Sequence, residues 1–190
     1  MLTVAFFRSR AWLEALFGLR GHESCRTHCV NATVIDFPKM GRATSMKRAD
    51  VLLAALAAPE RKSFYPVHLQ KTLFLVDYKL PQLFAHRYAF QPYDYGPFDK
   101  DVYADAAALE RAGLVVIVQE PGEYHRTYRV TAKGLEVGQQ LLAAMPPQSA
   151  ALVRQIANIV TRLGFRELVT AIYESFPEMK VNSIFKERHA

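Results

Sequence analysis

Cysteine is nearly absent: the 190-residue chain has two, Cys25 and Cys29, both near the N-terminus. A disulfide framework is therefore excluded for the main body, which fits a reducing cytosol. Long apolar runs are also lacking. The longest covers residues 51–58, eight residues, whereas a helical membrane span needs roughly 20. Glycine and proline are sparse, with 9 and 10 residues, which excludes collagen-like and low-complexity classes. The N-terminal apolar stretch is cut by Arg8, Arg10, Glu14 and Arg20, so it lacks the layout of a signal peptide. No G-x-S-x-G, P-loop, G-x-G-x-x-G or H-E-x-x-H occurs, and the catalytic classes those motifs mark lose their support.

What is present is a core former's composition, 51% hydrophobic and 12% aromatic. That is enough to bury one domain-sized core and excludes wholesale disorder. Net charge is +6. Residues 1–45 carry six basic and three acidic side chains; residues 46–190 carry 18 and 15. The main body is thus only mildly basic, less than a strong nucleic-acid binder usually shows.

Helical periodicity opens cleanly at Met46. Residues 1–45 read as a poorly structured N-terminal extension, with a short amphipathic helix around Trp12. One reading makes Met46 the native start and 1–45 upstream sequence; the other makes the segment a docking arm or an Arg-rich targeting peptide. The set His22, Cys25, His28 and Cys29 has zinc-ligand types, but it is crowded into eight residues with no second arm. No metal and no cofactor is expected.

From Met46 the periods predict a helix over 47–58, with Val51, Leu52, Ala55 and Leu56 inward and Pro59 as its stop. A second helix starts at Pro66 and runs to about Tyr78, with Leu69, Leu73 and Val76 on its core face. Pro92, Gly96 and Pro97 keep residues 88–98 extended or turning. Asp99 is placed to cap a third helix over 100–112. A β-hairpin follows, from strands over 114–119 and 124–131, with Tyr124, Tyr128 and Val130 expected on one face and His125, Thr127 and Arg129 on the other. Three helices close the chain: one capped by Thr131, one capped by Ser149, and one from Phe165 to before Pro177. The last two are expected to pair with each other.

Three helices followed by a hairpin is the order of a winged-helix domain. D-x-x-x-Y at 99–103, L-x-x-x-G-L at 109–114 and Y-R-V-T-x-K-G at 128–134 resemble that fold's usual wording. A narrower resemblance lies upstream. Leu69-Gln70-Lys71 resembles the L-Q-K helix of the YwgA-like proteins, Tyr95-Gly96-Pro97-Phe98 their Y-G-P element, and residues 173–178 their closing Y-x-x-[FY]-P-E. The phage-associated Panacea proteins, with the SocA and GepA groups, have a similar L-Q-K-L and Y-G-P pair. The match spans residues 46–185, and Asp99 stands where Ser is commoner. The resemblance implies antitoxin or adaptor roles in which the domain binds another protein, and no established enzyme.

The expected architecture is mainly α (α+β). It comprises a winged-helix domain with a two-stranded β-wing over 46–145 and a C-terminal helical hairpin packed on it over 146–190.

Asp101 and Asp105 share one face of the third helix. They read either as an acid–base pair or as acids near the positive end of a helix dipole. That helix also carries Asp99 and Glu110 against Lys100 and Arg111, a poor surface for a duplex. Tyr88, Phe90, Tyr93, Tyr95 and Phe98 fall within eleven residues. They read either as hot-spot rings or as core closure between two helices. The expected partner surface is Tyr93, Tyr95, Phe98, Asp101, Asp105 and Glu110, facing a basic protein such as a toxin. The alternative is a DNA-binding transcriptional regulator acting through the wing residues His125, Arg126, Arg129 and Lys133. The chain reads as a cytoplasmic, non-enzymatic regulatory module.

Overall fold

A computed structural model describes residues 45–59, 63–119, 121–122 and 124–186. The readings made for residues 1–44, including the His22, Cys25, His28 and Cys29 set, lie outside the described residues. The described chain is a mixed α/β fold, dominated by helices, with two small antiparallel sheets. No helix among the described residues is long and apolar enough to cross a membrane.

Helix α1 (Arg48–Ala57) is buried on every side, not on one face: all seven residues from Val51 to Ala57 are buried. A helix apolar around its whole circumference belongs inside a core. It is enclosed by α2 (Pro66–Lys79), α3 (Asp101–Arg111), α4 (Ala132–Ala144), α5 (Pro147–Arg162) and strand β5 (Thr127–Val130). Leu52, Leu53 and Leu56 are at most 2% exposed, each contributing about 2 kcal/mol by burial. Gly138 of α4 leaves room for Leu53 and Ala57 of α1, so those two helices approach closely.

Helix α2 starts with Pro66 at its first position, as expected. Its burial was not legible: His68, Gln70, Lys71, Thr72 and Asp77 are buried along with the leucines. α5, α6 (Phe165–Ser175) and strand β3 (Gly96–Phe98) pack around it. The last two helices thus rest mainly on α2 and its neighbours rather than closing chiefly on each other. Ser149 does not cap α5; that helix begins at Pro147, and Ser149 is buried in its first turn.

The hairpin after α3 is one strand richer than expected. Strands β4 (Val115–Val118) and β5 pair from Val115↔Val130 to Val118↔Thr127. Strand β1 (Ser63–Phe64) adds to the other edge of β5 through Phe64↔Tyr128, giving the order β1-β5-β4. The alternation also differs from the expected faces. β5 starts at Thr127, Tyr128 is buried and Arg129 exposed, and Tyr124 lies before the strand, 94% exposed. Thr127 is buried as well, its hydroxyl donating to the Val118 carbonyl. Thr131 caps α4 as expected, accepting from the Gly134 N–H at 2.9 Å.

Candidate functional site

Residues 88–98 hold a second small sheet. Strand β2 (Gln91–Tyr93) pairs antiparallel with β3, from Gln91↔Phe98 to Tyr93↔Gly96, so Asp94 and Tyr95 form the link. Gly96 closes it with φ +95°, a backbone region that a Cβ strains.

This hairpin is held from inside by α2. The Gln70 amide pairs both ways with the Asp99 backbone: Nε2 donates to the carbonyl at 2.9 Å, and Oε1 accepts from the N–H at 3.1 Å. Lys71 Nζ donates to the Pro97 carbonyl at 3.1 Å. Asp99 then fixes the entry to α3. Its carboxylate accepts from the Asp101 N–H at 2.8 Å and from the Ala89 N–H at 2.6 Å. The helix begins one residue later than expected, yet Asp99 still satisfies a free N–H of its first turn. From outside, Ser183 Oγ and the Ile184 N–H donate to the Asp94 carbonyl, and Asn182 Nδ2 donates to that of Pro92. Tyr173 OH donates to Ser183 Oγ at 2.6 Å. The segments 69–71, 95–98 and 173–178, far apart in sequence, therefore meet around one hairpin.

Beside it lies a cavity of about 770 Å³. Two series of ring contacts reach it. One runs Tyr93–Phe98–Tyr103–Tyr128; the other joins Tyr95, Phe165 and Phe185. Tyr93 and Tyr95 are 52% and 40% exposed, so the turn's rings divide between the cavity rim and the interior. Tyr88 belongs to the interior, buried against Phe84 and Phe90. His68 ties the cavity's far segments together, with Nδ1 accepting from the Tyr65 N–H and Nε2 bonded to the Leu163 carbonyl at 3.1 Å. Burial raises the Tyr103 hydroxyl and pushes that of Tyr128 up to about 12, so both stay neutral hydroxyls.

Lys71 lines this cavity while itself only 3% exposed. Burial pushes its ammonium down to about 7. Among the described residues its one hydrogen-bond partner is the Pro97 carbonyl, and no carboxylate lies in ion-pair range. An ammonium so placed loses most of its hydration and regains one bond of three.

The acids expected on the partner surface are used within the fold. Asp101 pairs with Arg48 Nη1 at 2.9 Å and Asp105 with Arg48 Nε at 3.4 Å. Asp105 also accepts from Tyr88 OH at 2.8 Å. Glu110 accepts from the Ile117 N–H at 3.0 Å. These three therefore sit apart in role from Tyr93, Tyr95 and Phe98, which the cavity gathers. Leu69 is a core residue, 1% exposed. His125 lines the cavity, and His125, Arg126, Arg129 and Lys133 are all exposed. On α3 the exposed positions are Ala104, Ala108, Glu110 and Arg111, which offer little to read base edges. Among the described residues, no group of three His, Cys, Asp or Glu side chains could hold a metal.

The sequence reading passed over Arg48, Tyr65 and Arg162, and took Phe165 only as the start of the last helix. Tyr65, Arg162 and Phe165 line the cavity, and no local pattern marks that role.

Gly96 gives a direct test of the hairpin. A Cβ there would lie 3.3 Å from Tyr173 Cε1 and 3.6 Å from Lys71 Cε, on top of the positive φ. Gly96→Val should lower stability by about 1–3 kcal/mol in urea unfolding. An unchanged midpoint would mean that the turn does not need glycine.

No protein-family model matches the chain, and no curated protein matches it.

Proposed function

We propose that this chain is a winged-helix regulatory module that binds a partner protein at the rim of the aromatic cavity, in the manner of an antitoxin or adaptor. Apart from the β2–β3 hairpin inserted between α2 and α3, the element order is helix–strand–helix–helix–strand–strand, with β1 beside β5, and this supports the winged-helix assignment. The observation that carries the binding role is the convergence of Gln70 and Lys71 with Tyr95, Gly96 and Phe98 on one cavity with half-exposed tyrosines at its edge. Rigidly mounted aromatic rings are the usual anchors of an interface. The polar side chains of α2 favour a non-enzymatic role, because Gln70, His68 and Lys71 each hold backbone of a neighbouring segment. Asp101 and Asp105 of α3 are shared with Arg48, so charge attraction to a basic partner has less weight than the rings.

The test is co-purification from the source cells with three forms of the protein. A specific partner should be recovered by wild type, lost with Tyr93→Ser combined with Tyr95→Ser, and retained with Arg126→Ala combined with Arg129→Ala. Micromolar or tighter binding to duplex DNA at physiological salt, lost in the arginine variant, would establish the DNA-binding regulator instead.

A further inference from the structure

We propose that the cavity beside the β2–β3 hairpin is a receptor for a single carboxylate carried on an aromatic or large aliphatic body, with Lys71 Nζ as the group that meets the carboxylate.

Three observations point the same way. First, the walls are mainly apolar, supplied by the rings of Tyr93, Phe98, Tyr103, Tyr95 and Phe165. Such walls favour an apolar body and give flat faces for a ring to stack on. The volume, about 770 Å³, fits a ligand of a few fused or linked rings, or the last residues of a peptide. Second, apart from the tyrosines the ionisable side chains there are all basic: Lys71, His68, His125 and Arg162 line the cavity, and no Asp or Glu does so among the described residues. Third, the buried Lys71 ammonium has no carboxylate in ion-pair range among the described residues. His68 has both ring nitrogens engaged by the Tyr65 N–H and the Leu163 carbonyl, while among the described residues Lys71 holds only the Pro97 carbonyl. One buried ammonium calls for one negative charge. A phosphate dianion would call for a second buried cation beside Nζ, and Arg162 and His125 are both exposed.

The hydrogen bond from Lys71 to Pro97 also sets the direction of the amine. Lys71 is anchored to the same hairpin that carries Tyr95 and Phe98, so the cation and two of the rings are fixed relative to one another. A ligand entering past Tyr93 and Tyr95 would lay its body between rings and bring its carboxylate to Nζ. Ion pairing in this apolar setting is strong because little water competes. The inference does not depend on the partner-protein reading, since a free acid and a chain end present the same chemistry.

The experiment is calorimetric titration of the full chain near pH 7 with N-acetyl-phenylalanine, with its primary amide, with a short peptide ending in a free phenylalanine carboxylate, and with that peptide amidated. Both acids should bind at least tenfold more tightly than their amides. A peptide acid that outcompetes the small acid identifies a chain end as the natural source; equal affinities identify a small molecule. Lys71→Met should erase the preference for acid over amide. Phe165→Ala, at a 41% exposed position, should weaken acid and amide alike and keep their ratio, which separates wall from cation. The wild-type comparison stands even where a variant does not fold. Equal binding of acids and amides, no binding of any of the four at millimolar concentration, or inorganic phosphate binding as tightly as the acids would each overturn the proposal.

Discussion

Gly134→Ala is expected to destabilise the protein by about 3 kcal/mol in urea unfolding, although alanine favours a helix over glycine by about 1 kcal/mol. The reason is local. A methyl built on Gly134 overlaps the Leu114 backbone carbonyl. That carbonyl already accepts from the Thr131 N–H at 3.0 Å and from the Thr131 hydroxyl at 3.3 Å. Backbone cannot swing aside as a side chain can, so α4 would have to lift at its first turn. Lifting it would pull Gly138 from its seat near the Leu53 carbonyl, 3.0 Å from where a Cβ would stand. The opposing helix propensity makes the sign informative. A variant as stable as wild type, or more so, would mean that the start of α4 does not rest on the end of the β4 approach.

Raising the pH from 7 to 9 should stabilise the wild-type protein by about 2 kcal/mol through Lys71 alone. The folded ammonium is pushed down to about 7 by burial, while the unfolded side chain titrates near its ordinary value, about 10.4. Between these values the unfolded chain binds more protons than the folded one, so stability rises with pH. Below pH 7 both states are protonated and the desolvation cost is carried in full. Lys71→Met should flatten this slope and be the more stable protein at pH 7, since it keeps the volume and removes the buried charge. Chemical unfolding of both proteins at pH 7, 8 and 9 measures it. Parallel slopes for the two would show that Lys71 is hydrated in the folded state.

Much of the helical plan was legible because its punctuation is local. Pro59, Pro66, Gly113 and Thr131 bound their helices where steric and capping chemistry places them. Strand β1 was not legible. Two residues, Ser63 and Phe64, carry no usable periodicity, and their partners Arg129 and Tyr128 lie far along the chain. The same holds for the site. Asp101 and Asp105 could be placed on one helix face from spacing alone, but nothing near them announces Arg48, 53 residues before Asp101. Lys71 stood out only as part of a resemblance. Lysine is ordinarily a surface residue, and its burial follows from α5, α6 and β3 closing around α2, which no local pattern encodes. The turn rings illustrate a real ambiguity: Tyr88 went inward, Tyr93 and Tyr95 to the rim, and their spacing in an irregular stretch does not separate the two.

The outer fastening of the β2–β3 hairpin has a consequence for the order in which the molecule is built. Ser183 holds the Asp94 carbonyl across 89 residues of chain, and Asn182 holds that of Pro92 across 90. During synthesis, α2 and the hairpin are therefore made long before the segment that latches them. The outer fastening can close only once that last stretch has been made and folds back onto the hairpin. A protease cut between Lys180 and Ser183 should loosen this outer fastening alone, leaving α1 and its neighbours packed and the hairpin held only from inside, by Gln70 and Lys71.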